Sequence, residues 1–415
     1  MFAKLQNDPI TIGWRSRIIF ILLVIMMASV FFSRVLLSIS MIAFVSFSFL
    51  HLDFKRQLVN FFSSPLLWGM SLLFLLPVIS GLWSRNEEEW VTAIRIKLPL
   101  LFMPLAFASS FGFSKKHWER LIILFIAFVT AGTIWSAANY ISDINVAHEN
   151  YLRSQIIVTP LENNHVRFSW MVSVAVLMAV WLWWQKKENE KKTSRALLII
   201  FVWLVVFLHI LAARTGLLSF YLMMLIAGLW FIFKKTKPLY GRILLAVLIA
   251  LPLAAYFIFP TFHNRMKYFL YDLPYFSKAH YKPGMNDAVR IISLKAGWNV
   301  MNEHPAGGVG FGDILTETKK WYKGNYSQME DPDKIYPSSE WLIYGTGCGW
   351  PGFLFFTFIT AFPFFMQMKN RFFWCLLNAI IGFSFLFDIS LEVQFGVFAY
   401  SLIILSCWQW EKLQK

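Results

Sequence analysis

Long apolar stretches alternate with short charged turns along most of this chain, and one polar interval breaks the pattern. Residues 261–340 carry ten Lys/Arg and nine Asp/Glu, whereas Leu, Ile, Val, Phe and Trp dominate the flanks. A helix of roughly 17 to 25 mainly apolar residues crosses a hydrocarbon layer about 30 Å thick. Twelve such runs are predicted, some of them short: 18–32, 35–50, 66–83, 98–113, 121–140, 168–184, 196–213, 217–233, 243–259, 341–366, 372–387 and 393–410. The first two form a tight hairpin around Ser33 and Arg34. The expected fold is an all-α polytopic membrane bundle with a large helical loop between the ninth and tenth spans.

Orientation follows from the short loops, because Lys and Arg concentrate on the cytoplasmic side. One side holds Lys4, Arg15 and Arg17, then Lys55 and Arg56, then Lys115, Lys116 and Arg120. It continues with Lys186, Lys187, Lys191, Lys192 and Arg195, with Lys234, Lys235, Lys237 and Arg242, and with Lys369, Arg371, Lys412 and Lys415. These are 21 of the 38 basic residues. The opposite short loops hold only Arg34, Arg85, Arg95, Lys97, Arg153, Arg167 and Arg214. Both termini are therefore predicted cytoplasmic, and alternation puts 261–340 outside, in the periplasm of a two-membrane cell. Irregular polar backbone is excluded from hydrocarbon at several kcal/mol per unpaired group. The expected organisation is nine spans in 1–260 with a smaller outer loop at 141–167, the large outer loop at 261–340, and three spans with a cytoplasmic C-terminus in 341–415.

The composition agrees. The 415 residues are 58% hydrophobic and 18% aromatic, so lipid takes the place of a conventional core. The formal charge of +15 reflects topology and contact with anionic lipid rather than nucleic-acid binding. The first apolar run leads straight into the second, which argues against a cleaved signal peptide. Cys348, Cys375 and Cys407 all fall inside predicted spans and offer neither a disulfide framework nor metal-ligand spacing.

Two outer segments have the length to build a site. The loop at 141–167 holds Glu149, Arg153, Glu162, His165 and Arg167. In the larger one, Asn286 or Asp287 is placed to cap a helix that runs to Glu303 and is stopped by Pro305. Val289, Ile292, Ala296 and Val300 share one face of it, as in an amphipathic piece lying on the membrane or covering the bundle, and Arg290 projects from another. His304-Pro-Ala-Gly-Gly-Val-Gly-Phe-Gly-Asp313 follows, and its glycines suit either a tight turn or an anion-binding nest. The run lacks the Gly-Lys-Ser/Thr ending of a nucleotide loop. Arg214 stands at an outer junction of two spans, where a guanidinium snorkels, pairs with a carboxylate or binds an anion. Asp388 and Glu392, in the last outer turn, are available partners.

The order of these pieces resembles the O-antigen ligase and O-antigen polymerase superfamily of bacterial envelope glycosyltransferases. It comprises Ala-Arg-x-Gly-Leu-Leu at 213–218, then Arg290 and Trp298, then the glycine run, Ser338-Ser339-Glu340-Trp341-Leu342, and Gly349-Trp350-Pro351-Gly352. The resemblance implies transfer of a glycan from an undecaprenyl-diphosphate carrier, on the outer face of the inner membrane, to lipid A-core or to a growing polysaccharide. It implies neither a nucleotide sugar nor a required metal or other cofactor, and membrane lipid as the surroundings. Position by position, the family's two arginines fall on Arg214 and Arg290, and its last-turn acidic residue on Asp388. Paired guanidiniums suit a lipid diphosphate, supplying charge and bidentate donors. Arg167, His165 and Ser338 are further candidate substrate contacts.

Where the family offers a histidine before the Gly-x-x-Gly span, this chain has Ser338 and Ser339. A serine cannot serve as a base whose pKa lies near working pH. Glu340 as base, His304 or His165 approaching from elsewhere, and a lost or altered activity all stay open. The competing readings are a repeat-unit polymerase of the same superfamily, a lipid-glycan transporter or flippase, and a non-catalytic assembly factor. Against a transporter stand the absence of an evident repeat and the scarcity of mid-span ionisable residues.

Overall fold

The computed structural model describes residues 9–51, 53–153, 155–234, 238–277 and 281–413. Lys4, Lys235, Lys237 and Lys415, counted above for orientation, lie outside the described residues. Among the described residues the chain is helical, without strands. In chain order the helices are α1 Pro9–Phe32, α2 Arg34–Phe49, α3 Phe54–Phe62, α4 Pro65–Ser80, α5 Glu87–Phe107, α6 Lys115–Ser142, α7 Ile144–Leu152, α8 His165–Lys186 and α9 Lys191–Leu211. They continue with α10 Arg214–Phe233, α11 Pro238–Ile258, α12 Pro260–Asp272, α13 Asn286–Glu303, α14 Ile314–Asn325, α15 Glu340–Ala361, α16 Arg371–Phe387 and α17 Gln394–Lys412.

Every one of the twelve predicted runs falls on a helix, but among the described residues eight helices are long and apolar enough to cross a bilayer: α1, α5, α6, α8, α9, α10, α11 and α15 with its following turn. The difference has physical causes. α2 and α4 have 16 residues and α16 has 17, which at about 1.5 Å per residue falls short of about 30 Å. α2 passes the test only together with α3, from which it is bent by 109°. α17 has 19 residues, diluted by Gln394, Gln409, Glu411 and Lys412.

Arg95 and Lys97, read from sequence as loop residues, lie inside α5. That helix starts at Glu87, where the Asn86 side chain accepts the Glu89 amide at 3.2 Å and three glutamates occupy the first turn. Lys97 has no exposed surface; it pairs with Glu392 and donates to Leu391 O at 3.2 Å.

Helices that are apolar on every side belong in the interior. α8 and α17 behave so, each burying residues on all faces, whereas α11 buries only Gly241 and Ala255 and leaves the rest for lipid. The central position of α8 fixes where His165 and Arg167, at its start, are presented.

The 261–340 segment folds into α12, α13, α14 and two short 3-10 turns. The stripe Val289, Ile292, Ala296 and Val300 on α13 is buried, as expected of an element that covers something. Tyr322, Tyr326 and Met329 close over it, giving the segment a small core of its own. The expected capping by Asn286 or Asp287 is replaced: neither stands at the N-cap, and Asp272, at the end of α12, accepts the amides of Asp287 at 2.7 Å and Ala288 at 3.4 Å.

Candidate functional site

Three helix starts and two helix ends meet where the polar segment joins the bundle. α9 ends on Ala212 in a left-handed conformation (φ +47°), which reverses the chain and makes Arg214 the first residue of α10. α10 then lies against α8. The Gly216 amide donates to Ser169 Oγ at 3.0 Å, and Ser173 Oγ donates to Gly216 O at 2.8 Å. A Cβ on Gly216 would stand 2.6 Å from Ser169 O, so only glycine permits this approach. The contact carries Arg214 to the same end of the bundle as Arg167, whose amide is capped by Asn164 Oδ1 at 3.1 Å. α16 ends there too and delivers Asp388.

Each arginine has a defined setting. Arg167 is buried; its Nε lies 3.2 Å from Asp388 Oδ2 without hydrogen-bond alignment, while Nη2 donates to Ile389 O at 3.0 Å. Asp388 also accepts from Ser390 Oγ. Arg214 pairs with Asp287 and lies 5.3 Å from the ring centre of Phe269. Arg290, one turn into α13, feels Asp388, Arg214, Asp287 and Arg167. Burial lowers its pKa from the ordinary arginine value, Arg214 and Arg167 add to the lowering, and Asp388 and Asp287 oppose it. Arginine stays charged in proteins, so the lowering measures positive charge held away from water.

Arg265, on α12, is a fourth member that the sequence reading missed. Burial, then the charge of Arg214, pull its pKa down to about 10, and its guanidinium lies 5.4 Å from the Tyr268 ring. No motif marks it. The available signal was an arginine among Phe262, Tyr268 and Phe269 in a helix that follows directly on a span. His165, half-buried at the start of α8, shares the electrostatic surroundings of Arg265, Arg290 and Asp388.

Other expected residues lie apart from this group. Glu340 has no exposed surface; one oxygen accepts the Leu391 amide and the other is buried without a hydrogen bond. Its charged neighbours are Glu392, Lys97 and Asp388. Lys97 and Glu340 thus grip the 389–392 turn from one side while Arg167 holds it from the other. His304 is exposed at the far end of α13, about 21 Å along the helix from Arg290 at 1.5 Å per residue. Ser338 lies closer to the arginines: its Oγ accepts from Ser293 Oγ at 2.9 Å, one turn beyond Arg290.

The glycine run is a packing device. Val309 and Gly310 donate to Thr346 O and Gly347 O at 2.9 Å each, and Gly308 donates to His304 O at 3.0 Å. Phe311 and Gly312 donate to Ser80 Oγ and Ser84 Oγ at 3.1 and 3.2 Å. With those amides committed, the tight-turn reading holds and these five amides form no anion nest. The run clasps α15 just before its break at Cys348 and Gly349, where the helical conformation is interrupted. Among the described residues no group of three or more His, Cys, Asp or Glu side chains is placed to hold a metal ion.

The fold and this site define a helical membrane protein with a cationic cluster between its bundle and a folded polar segment. Residues 199–357 match the family model described as O-Antigen ligase. The matched segment contains Arg214, Arg265, Arg290, His304, Ser338 and Glu340, while His165, Arg167 and Asp388 come from outside it. No curated protein matches the chain.

Proposed function

We propose that this protein transfers a glycan from an undecaprenyl-diphosphate carrier to lipid A-core or to a growing polysaccharide, at the outer face of the bacterial inner membrane. The polar segment then faces the periplasm and both termini the cytoplasm. The observation that carries the reading is the gathering of Arg214, Arg265 and Arg290 beside His165.

A lipid diphosphate brings about two negative charges to that edge, and guanidiniums answer them with forked donors. In transfer, an acceptor hydroxyl attacks the anomeric carbon, the bond from that carbon to the diphosphate oxygen breaks, and the diphosphate leaves with the electron pair. Arg214, Arg265 and Arg290 stabilise the charge developing on it. His165, the imidazole that stands beside these arginines, takes the acceptor proton on a ring nitrogen. Asp388 and Arg167 orient the 388–391 turn below them.

Purified protein with lipid-linked donor and acceptor tests the assignment. Arg214→Ala and Arg290→Ala are each expected to lower the transfer rate about 10²- to 10³-fold. Normal transfer by both well-folded variants overturns it. A single addition per acceptor identifies a ligase, and a ladder of products a polymerase.

A further inference from the structure

A second concave site lies beside the arginines and has no part in the mechanism above. It is a cavity of about 310 Å³ whose wall includes Arg34, Trp135, Pro160, Glu162, Asn163 and Phe395. That volume is at the lower end of small-molecule sites, roughly 300–1,000 Å³. Phe395 connects it to the first site: the Arg34 guanidinium lies 5.8 Å and that of Arg167 5.5 Å from its ring centre.

One wall is backbone in an unusual state. Leu161, Glu162 and Asn163 have φ of +62°, +56° and +63°, three consecutive non-glycine residues in the left-handed region. The turn is held by the Thr159 amide on Asn163 Oδ1 at 3.2 Å and by Asn164 N on Leu161 O at 3.0 Å. Backbone in such conformations persists where surrounding structure enforces it, and it concentrates at ligand sites. Here it turns the Glu162 side chain onto Arg34. An interfacial aromatic belt would account for a half-exposed Trp135, but not for this turn or for an ion pair across the mouth of the cavity.

We propose that this cavity binds a neutral, hydroxyl-rich saccharide unit of the acceptor glycan. The chemistry selects that class. Trp135 offers an aromatic face for the C–H side of a sugar ring. Arg34, Glu162 and Asn163 offer donors and acceptors for hydroxyls. Arg34 and Glu162 cancel each other's charge, so the pocket does not repeat the anion selectivity of the arginine cluster. The strained turn that forms the wall ends two residues before His165, which places the cavity next in the chain to the start of α8. This inference rests on the transfer reading for the identity of the ligand as acceptor, and on the cavity alone for saccharide binding.

The test separates the two. With donor held constant and acceptor titrated, Trp135→Ala is expected to raise the acceptor KM about tenfold, equivalent to about 1.4 kcal/mol, with kcat and donor KM within about twofold. Trp135→Phe, which keeps an aromatic face, restores most of the loss, and Glu162→Gln raises the acceptor KM as well. Independently, calorimetric titration of the full-length protein with core oligosaccharide released from the host's own envelope should show binding that Trp135→Ala weakens. Unchanged acceptor KM or unchanged saccharide binding in Trp135→Ala overturns the inference. If the wild-type protein transfers nothing yet binds the saccharide in a Trp135-dependent way, the cavity assignment stands and the transferase reading falls.

Discussion

Asp287, in the first turn of α13, forms an ion pair with Arg214, the first residue of α10, and so ties the polar segment to the bundle at the point where substrate is proposed to bind. The pair is asymmetric. The Asp287 side chain is 5% exposed and that of Arg214 33%, so the carboxylate belongs to the segment's interior and the guanidinium reaches out to it. The second Asp287 oxygen is buried without a hydrogen bond, which leaves the latch weaker than a fully satisfied carboxylate would be.

Asp287→Ala should therefore loosen the segment before it unfolds anything else. Amide exchange across Asn286–Glu303 is expected to accelerate, with α8 and α17 unchanged. Uniform acceleration, or none, contradicts a local latch.

Gly216 sets the distance between the two arginine-bearing helices. Gly216→Val puts side-chain atoms into the Ser169 backbone, at a cost of about 1–3 kcal/mol for overpacking. Transfer should fall well below that of wild type at equal protein level, because Arg167 and Arg214 move apart. Retained transfer would show that their spacing is unimportant.

Glu340 discriminates a base from a brace. Glu340→Gln keeps an oxygen for the Leu391 amide, so it should retain most transfer, whereas Glu340→Ala leaves that buried amide without its acceptor and lowers the thermal midpoint. Abolition of transfer by Glu340→Gln at unchanged stability would assign the base role to Glu340 instead of His165.

Neighbouring glycines in the run at 307–310 should differ sharply. At Gly308, with φ +66°, a Cβ would stand 2.4 Å from the Cys348 amide nitrogen, while at Gly307 nothing lies within 4 Å. Gly308→Ala is expected to destabilise by about 1–2 kcal/mol from its left-handed backbone alone and by more through the clash, and Gly307→Ala by far less. Thermal unfolding in detergent reads both.

Guanidinium charge is proposed to supply what a divalent ion supplies to other diphosphate chemistry. Transfer is therefore expected to persist after treatment with EDTA, within about twofold of the untreated rate. A chelator-sensitive rate restored by added magnesium refutes this division of labour.

Apolar period and loop charge were enough to locate every long helix, because a bilayer enforces helicity on any apolar run that enters it. They misplaced Lys97, since a lysine that is neutralised by Glu392, nearly 300 residues away, and donates to Leu391 O, looks from its neighbours like a loop residue. Arg214, Arg290 and Asp388 were legible through their ordered motifs, and the structure sets them in one electrostatic neighbourhood. Arg265 was not, because its membership depends on how α12 docks against α7 and α9. The glycine run allowed two readings until its acceptors on Thr346 and Gly347 were placed, and those contacts arise only from the tertiary fold.

Arg167 and Arg214 both stand in the first turn of their helices, where the positive end of the helix dipole opposes a cation. Evolution for stability alone would put acidic residues there, as it has in the first turn of α5. The charges are therefore frustrated by their own scaffold, and by linkage any anion that settles among them strengthens the fold.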